Sequence, residues 1–137
     1  MLVILDTNIF VSALLTKNTP PYRIFWSWRA HKFDLATCPE QLAEIRRVSG
    51  YARFRSQLQP HRVGTMINYL LQEENFDNLK ITEQADDPDD SWLLALAEAS
   101  RAHFLVTGDK RAGILERRSV AQAEVITATD FCHRLGI

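Results

Sequence analysis

The chain has 137 residues, 46% of them hydrophobic and 24% charged, with a net charge of −1. That fits one globular domain over 1–137 with its own core, and the near-neutral balance argues against a generic nucleic-acid binder. No apolar run approaches the roughly 20 residues that cross a bilayer, the N-terminus shows no leader pattern, and Cys38 and Cys132 form no CxxC, so a reduced cytoplasmic protein is expected.

Leu2–Leu5 is an unbroken apolar run, the pattern of a strand buried on both faces of a parallel sheet. Asp6 stands where it stops, and residues 8–16 follow as a short helix capped by Thr7 or Asn8. Pro20-Pro21 breaks the chain, and Pro21 suits the first turn of a helix from Tyr22 to about Lys32, with Ile24, Phe25, Trp26 and Trp28 on its apolar side. Phe33–Thr37 reads as a second strand. Pro39 opens a third helix that Gly50 closes, with Leu42, Ile45 and Val48 buried and Glu44 beside that face.

Residues 51–75 read as a short and a longer helix parted at Pro60, with Met66, Ile67, Leu70 and Leu71 inward, and Leu79–Ile81 as a short strand. Asp87-Pro-Asp-Asp90 opens the clearest helix: Asp87 caps it, Pro88 takes the first position, and its acids favour the positive end of the dipole. Leu93, Leu94, Leu96 and Ala97 form its apolar face, which Asp90 adjoins. Phe104–Thr107 is a second fully apolar strand, followed by Gly108-Asp109; Glu124–Thr127 and Ala128–Leu135 supply a last strand and a closing helix.

Strands alternating with helices favour a parallel sheet covered on both faces, and the carboxyl ends of strands 2–5 and 104–107 then face one crevice. Asp6, Glu44, Asp90 and Asp109 gather there. Like charges so close raise one another's pKa values, and a hard divalent cation relieves that cost; all-oxygen ligation suits Mg²⁺ or Mn²⁺. Such sites serve phosphate chemistry. Each acid also has a plain reading. Asp6, Asp87 and Asp89 can be helix caps, Asp109 a turn residue, and Glu44 a surface partner of Arg47. The four histidines lack metal-ligand spacing, and none accompanies a plausible nucleophile. Between residues 45 and 72 there is no acid but five arginines, Arg46, Arg47, Arg53, Arg55 and Arg62, which either attract phosphate or form a solvated face.

Leu2–Leu15, Glu40–Ile45, Asp87–Asp90 with Leu96-Ala97, and Leu105–Lys110 resemble the PIN-domain family, in the order and spacing of its bacterial VapC-like toxin branch. Ile126-Thr127 and Asp130-Phe131 fit that branch's closing strand and helix. The resemblance implies a three-layer α/β/α sandwich with a mainly parallel central sheet and a Mg²⁺- or Mn²⁺-dependent endoribonuclease. By position, Asp6, Glu44, Asp90 and Asp109 match the catalytic metal ligands, and Asn8 and Thr107 the polar residues supporting them. Asp87 and Asp89 lie close enough to assist. One departure is Thr37-Cys38, where a serine is more usual before the helix. The resemblance further implies a homodimer and an antitoxin partner, with RNA as substrate and the 45–72 arginines receiving its phosphates or that partner's acids. Two rivals stand beside this reading: a non-catalytic PIN-like RNA- or protein-binding module, and an aspartate-based phosphotransfer domain. Asp-Thr-Asn lacks the second acid that haloacid-type phosphatases carry two residues on.

Overall fold

The computed structural model describes residues 1–81, 91–108, 114 and 117–137. Among these residues six strands form one sheet in the order β3-β2-β1-β4-β6-β5: β1 (Leu2–Leu5), β2 (Asp34–Thr37), β3 (Glu74–Asn75), β4 (Phe104–Thr107), β5 (Ser119–Val120) and β6 (Ala123–Thr127). All neighbouring pairs are parallel except β5 with β6. Among the described residues six α-helices surround the sheet: α1 (Thr7–Leu15), α2 (Pro20–Arg29), α3 (Pro39–Ser49), α4 (Pro60–Leu71), α5 (Ser91–Ser100) and α6 (Ala128–Leu135). This is the expected mainly parallel α/β/α sandwich.

The unbroken apolar strands follow from having two cores to fill. Successive side chains on a strand point to opposite faces. Val3 and Leu5 enter the core made with α1, α2, α3, α4 and α6, while Ile4 enters the one beneath α5. Leu35 and Ala36 divide in the same way, as do Val106 and Leu105. Burying each such side chain contributes about 1.5–3 kcal/mol. Helix α5 is sunk so deeply that Ser91 to Ala97 are all buried.

Several expected boundaries shift. Helix α1 begins at Thr7, and Asp6 rather than Thr7 or Asn8 occupies the capping position. Helix α2 begins at Pro20, because the Thr19 hydroxyl caps it by accepting from the Tyr22 amide, and it ends at Arg29 before His31 turns left-handed at φ 61°. Leu71 is exposed, not inward, and so is Trp26 at 54%. Residues 79–81 form no strand; the strand in this region is β3, whose two residues are both exposed and carry no apolar signal. Strand β5 has no counterpart in the sequence reading, and it turns back on β6 as an antiparallel edge. The opening of α5 at Asp87–Asp90 lies outside the described residues, which begin that helix at Ser91. No helix of the described residues is long and apolar enough to cross a membrane.

Candidate active site at the carboxyl edge of the sheet

Strand β1 is the point where the strand order reverses, with β2 and β3 on one side and β4, β6 and β5 on the other. In open α/β sheets such a reversal leaves a crevice beyond the carboxyl ends of the two diverging strands. Asp6 leaves β1 and Thr107 ends β4 at that crevice.

The backbone of Asp6 is fixed twice over. Its N–H donates to the Val106 carbonyl at 2.9 Å, extending the ladder one residue past β1, and its C=O accepts from the Ile9 amide at 2.9 Å. An aspartate in this capping position normally turns its carboxylate onto the first helical amides. Asp6 makes no such cap bond. Its Oδ2 instead accepts from the Thr107 hydroxyl at 3.0 Å, and both residues are 0% exposed. Burying a carboxylate is costly unless it is hydrogen-bonded. The β4 hydroxyl supplies that partner and orients the group toward β4.

A second brace comes from Gln41, which is buried in the first turns of α3. Its side-chain amide donates to the Leu5 carbonyl at 2.5 Å and its oxygen accepts from the Thr37 hydroxyl at 2.7 Å. One side chain thus ties together the carboxyl ends of β1 and β2 and the start of α3. Glu44 lies three residues further along, on the same side of the helix. Its side chain keeps only 12% of its surface in solvent, with Arg47 at 4.0 Å. Gln41 is absent from the candidates that the sequence suggests, although its spacing with Ile45 and Val48 places it on the buried stripe. Thr7, the neighbour of Asp6, is also 0% exposed, and its hydroxyl has no hydrogen-bond partner among the described residues.

Cys38 stands in the capping position of α3 without a side-chain cap bond, fully buried. Burial pushes its thiol up to about 12 from 9.0, against opposing hydrogen bonds from the Gln41 and Glu40 amides. This thiol stays neutral and inert, in keeping with the wide separation of the two cysteines in the chain.

Of the other candidates, Asn8 is exposed in the first turn of α1. Asp87, Asp89, Asp90 and Asp109 lie outside the described residues. Among the described residues no group of three or more His, Cys, Asp or Glu is placed to hold a metal. Asp6 and Glu44 are the members of the four-acid set that the described residues include. The donors present at the edge, a carboxylate braced by a hydroxyl with a second hydroxyl beside it, are all oxygen, which fits a hard cation and not a soft one. The arginines sit elsewhere, exposed around the end of α3 and the start of α4: Arg46 and Arg55 line one cavity of about 530 Å³, Arg47 donates to the Tyr51 hydroxyl at 2.8 Å, and Arg62 is on α4.

A family model described as "PIN domain" matches residues 2–111. No curated protein matches the sequence. Among solved structures the fold is similar to a chain in the crystal structure of VapBC2 from Rickettsia felis bound to a DNA fragment from their promoter, at 20% identity and a TM-score of 0.58, covering 93% of this chain and 98% of that one.

Proposed function

This chain belongs to the PIN-domain family, and on that premise we propose that it is a Mg²⁺- or Mn²⁺-dependent endoribonuclease, the toxin of a toxin–antitoxin pair, with 1–137 as one nuclease domain. The observation that carries the reading is Asp6: a carboxylate wholly buried at the strand-order reversal, held by Thr107 and not used as a helix cap. A protein that needed only a cap there would have the carboxylate on the helix amides.

Asp6, Asp90 and Asp109 would chiefly hold the cation, with Glu44 a further ligand or the base that orients the attacking water. When bound, it supplies charge stabilisation at the phosphoryl oxygens and a more acidic water. The chain's own part is preorganisation. Thr107 fixes the rotamer of Asp6. Gln41 fixes the start of α3 against the Leu5 carbonyl and so sets the depth of Glu44. In-line attack by water then forms a new P–O bond and breaks the P–O bond opposite it in the RNA phosphodiester, the leaving oxygen taking a proton from solvent.

The likeness to a chain of a VapBC2 complex supports an antitoxin as the natural partner; a homodimer, which the family resemblance implies, and a cytoplasmic location are proposed with it. The test is cleavage of a mixed RNA pool with Mn²⁺, with chelator, and by Asp6→Asn. Loss of cleavage with both chelator and substitution supports the assignment, and cleavage that persists in Asp6→Asn overturns it.

A further inference from the structure

The bend between α3 and α4 carries a feature that the acid site does not use. Tyr51, 36% exposed, lies nearly parallel to Phe54, with an interplanar angle of 16° and ring centroids 6.5 Å apart. The Arg53 guanidinium sits 5.5 Å from the Tyr51 centroid and 4.8 Å from that of Phe54. Alongside is the 530 Å³ cavity, with Arg46 and Arg55 at its rim and Leu58, Pro60 and Val63 as an apolar floor. We propose that this bend is a docking ledge for single-stranded RNA, in which an unpaired base stacks on Tyr51 and the adjoining phosphates are taken by Arg46 and Arg55.

The chemistry selects the ligand. Aromatic rings backed by guanidinium groups hold unstacked bases of any sequence, because every base offers a π-face. Cations flanking an apolar floor suit a sugar with phosphates on either side. From residue 45 to 72 there is no carboxylate to repel a polyanion, although the chain as a whole is at −1. The ledge is also held before anything binds. The Tyr51 hydroxyl accepts from Arg47 Nη1 at 2.8 Å, the Tyr51 amide donates to the Val48 carbonyl at 3.1 Å, and the Phe54 amide donates to the Tyr51 carbonyl at 2.9 Å. Groups already in place lose little entropy on binding.

Helix α3 links the ledge to the acid-bearing edge, where that helix begins. Ser49, at the end of α3, is about 8 Å along the helix from Glu44, and Arg47 spans the interval, 4.0 Å from Glu44 and bonded to Tyr51. The choice of RNA rests on the ribonuclease reading.

The test is fluorescence anisotropy of a short, mixed-sequence, labelled single-stranded RNA with the full chain in chelator, where nothing is cleaved. Tyr51→Ala weakens binding about tenfold, within the range of one base–aromatic stack, while Tyr51→Phe keeps it. Replacing both Arg46 and Arg55 by Gln flattens the salt dependence, by about 0.7 in slope for each phosphate that the variant no longer neutralises. Duplex RNA, whose bases are not free to stack, is indifferent to Tyr51→Ala. Unchanged affinity in Tyr51→Ala, equal losses for duplex and single strand, or no RNA binding by the natural chain would each overturn the ledge. So would an Arg46- and Arg55-dependent affinity for polyglutamate without one for RNA, which would assign the bend to an acidic protein. Returning Mn²⁺ separates the two readings. Tyr51-dependent binding without cleavage keeps the ledge and removes the nuclease. Asp6-dependent cleavage with Tyr51→Ala affinity unchanged removes the ledge alone.

Discussion

At the carboxyl ends of β1, β2 and β4 the chain buries Asp6, Thr37, Gln41 and Thr107 completely and joins them by side-chain hydrogen bonds. At the amino ends of the same sheet the polar groups stay in water. His103 is exposed while its Nδ1 accepts from the Leu2 amide at 3.1 Å, and the Glu124–Arg134 pair, at 2.9 Å, leaves about half of each side chain in solvent. Both ends terminate strands and have the same backbone to satisfy. Only one of them bears the cost of drying its polar groups, and that is the end where the strand order reverses. Fold stability alone has no use for that asymmetry, since exposed polar ends are cheaper. A site that must hold charge in fixed positions does.

Substitutions at each end can sharpen or break the contrast. Asp6→Asn, which preserves shape and removes charge, should lower RNA cleavage by more than about a hundredfold, beyond the 10–100-fold typical of residues supporting a metal ligand, with the circular dichroism spectrum unchanged. Thr107→Val removes the hydroxyl that holds Asp6 and should lower Mn²⁺ affinity, read by calorimetry, about 10–100-fold; an unaltered titration would detach Thr107 from the site. Gln41→Leu strands the Thr37 hydroxyl and the Leu5 carbonyl in the interior, and urea unfolding should show a loss of about 2–4 kcal/mol.

Cys38 gives a pH test of the same drying. Its folded pKa is raised from 9.0 to about 12, so the native state holds this proton more tightly than the unfolded chain does. Its contribution to stability is complete below about pH 9 and is lost as pH rises toward 12. The native protein should resist thiol alkylation near pH 8 and react once unfolded. The smallest effect belongs to the amino end: Glu124→Gln, breaking an exposed ion pair, should change stability by less than about 1 kcal/mol. A larger loss there would mean that the two ends are not built differently after all.

Much of this is legible in the sequence where the signal is local. The strands at Leu2–Leu5 and Phe104–Thr107 announce themselves because burial on both faces forces an unbroken apolar run. The helix at Ala128–Leu135 lies where its pattern places it, capped by Thr127 and ended by Gly136 at φ 70°. The departures share a cause. Strands β3 and β5 are two residues each, too short for any period to register, and β3 is held by pairing with β2 instead of by side-chain burial. At the site, Asp6 reads in sequence as much like a cap as a ligand, because what distinguishes the two is Thr107, 101 residues away. Gln41 is hidden for a similar reason: its partners are on two strands, and the chain around it reads as ordinary helix.

The two edge strands have a further consequence, for solubility. A sheet's outermost strands expose unpaired amides and carbonyls that recruit strands from other molecules, the first step toward fibres. Here the outermost strands are Glu74–Asn75 on one side and Ser119–Val120 on the other, each paired with two residues of its longer neighbour, β2 or β6. Among the described residues, each outermost strand is only two residues long, and β3 carries a carboxylate. Outermost strands this short give a neighbouring molecule's strand little backbone to pair with.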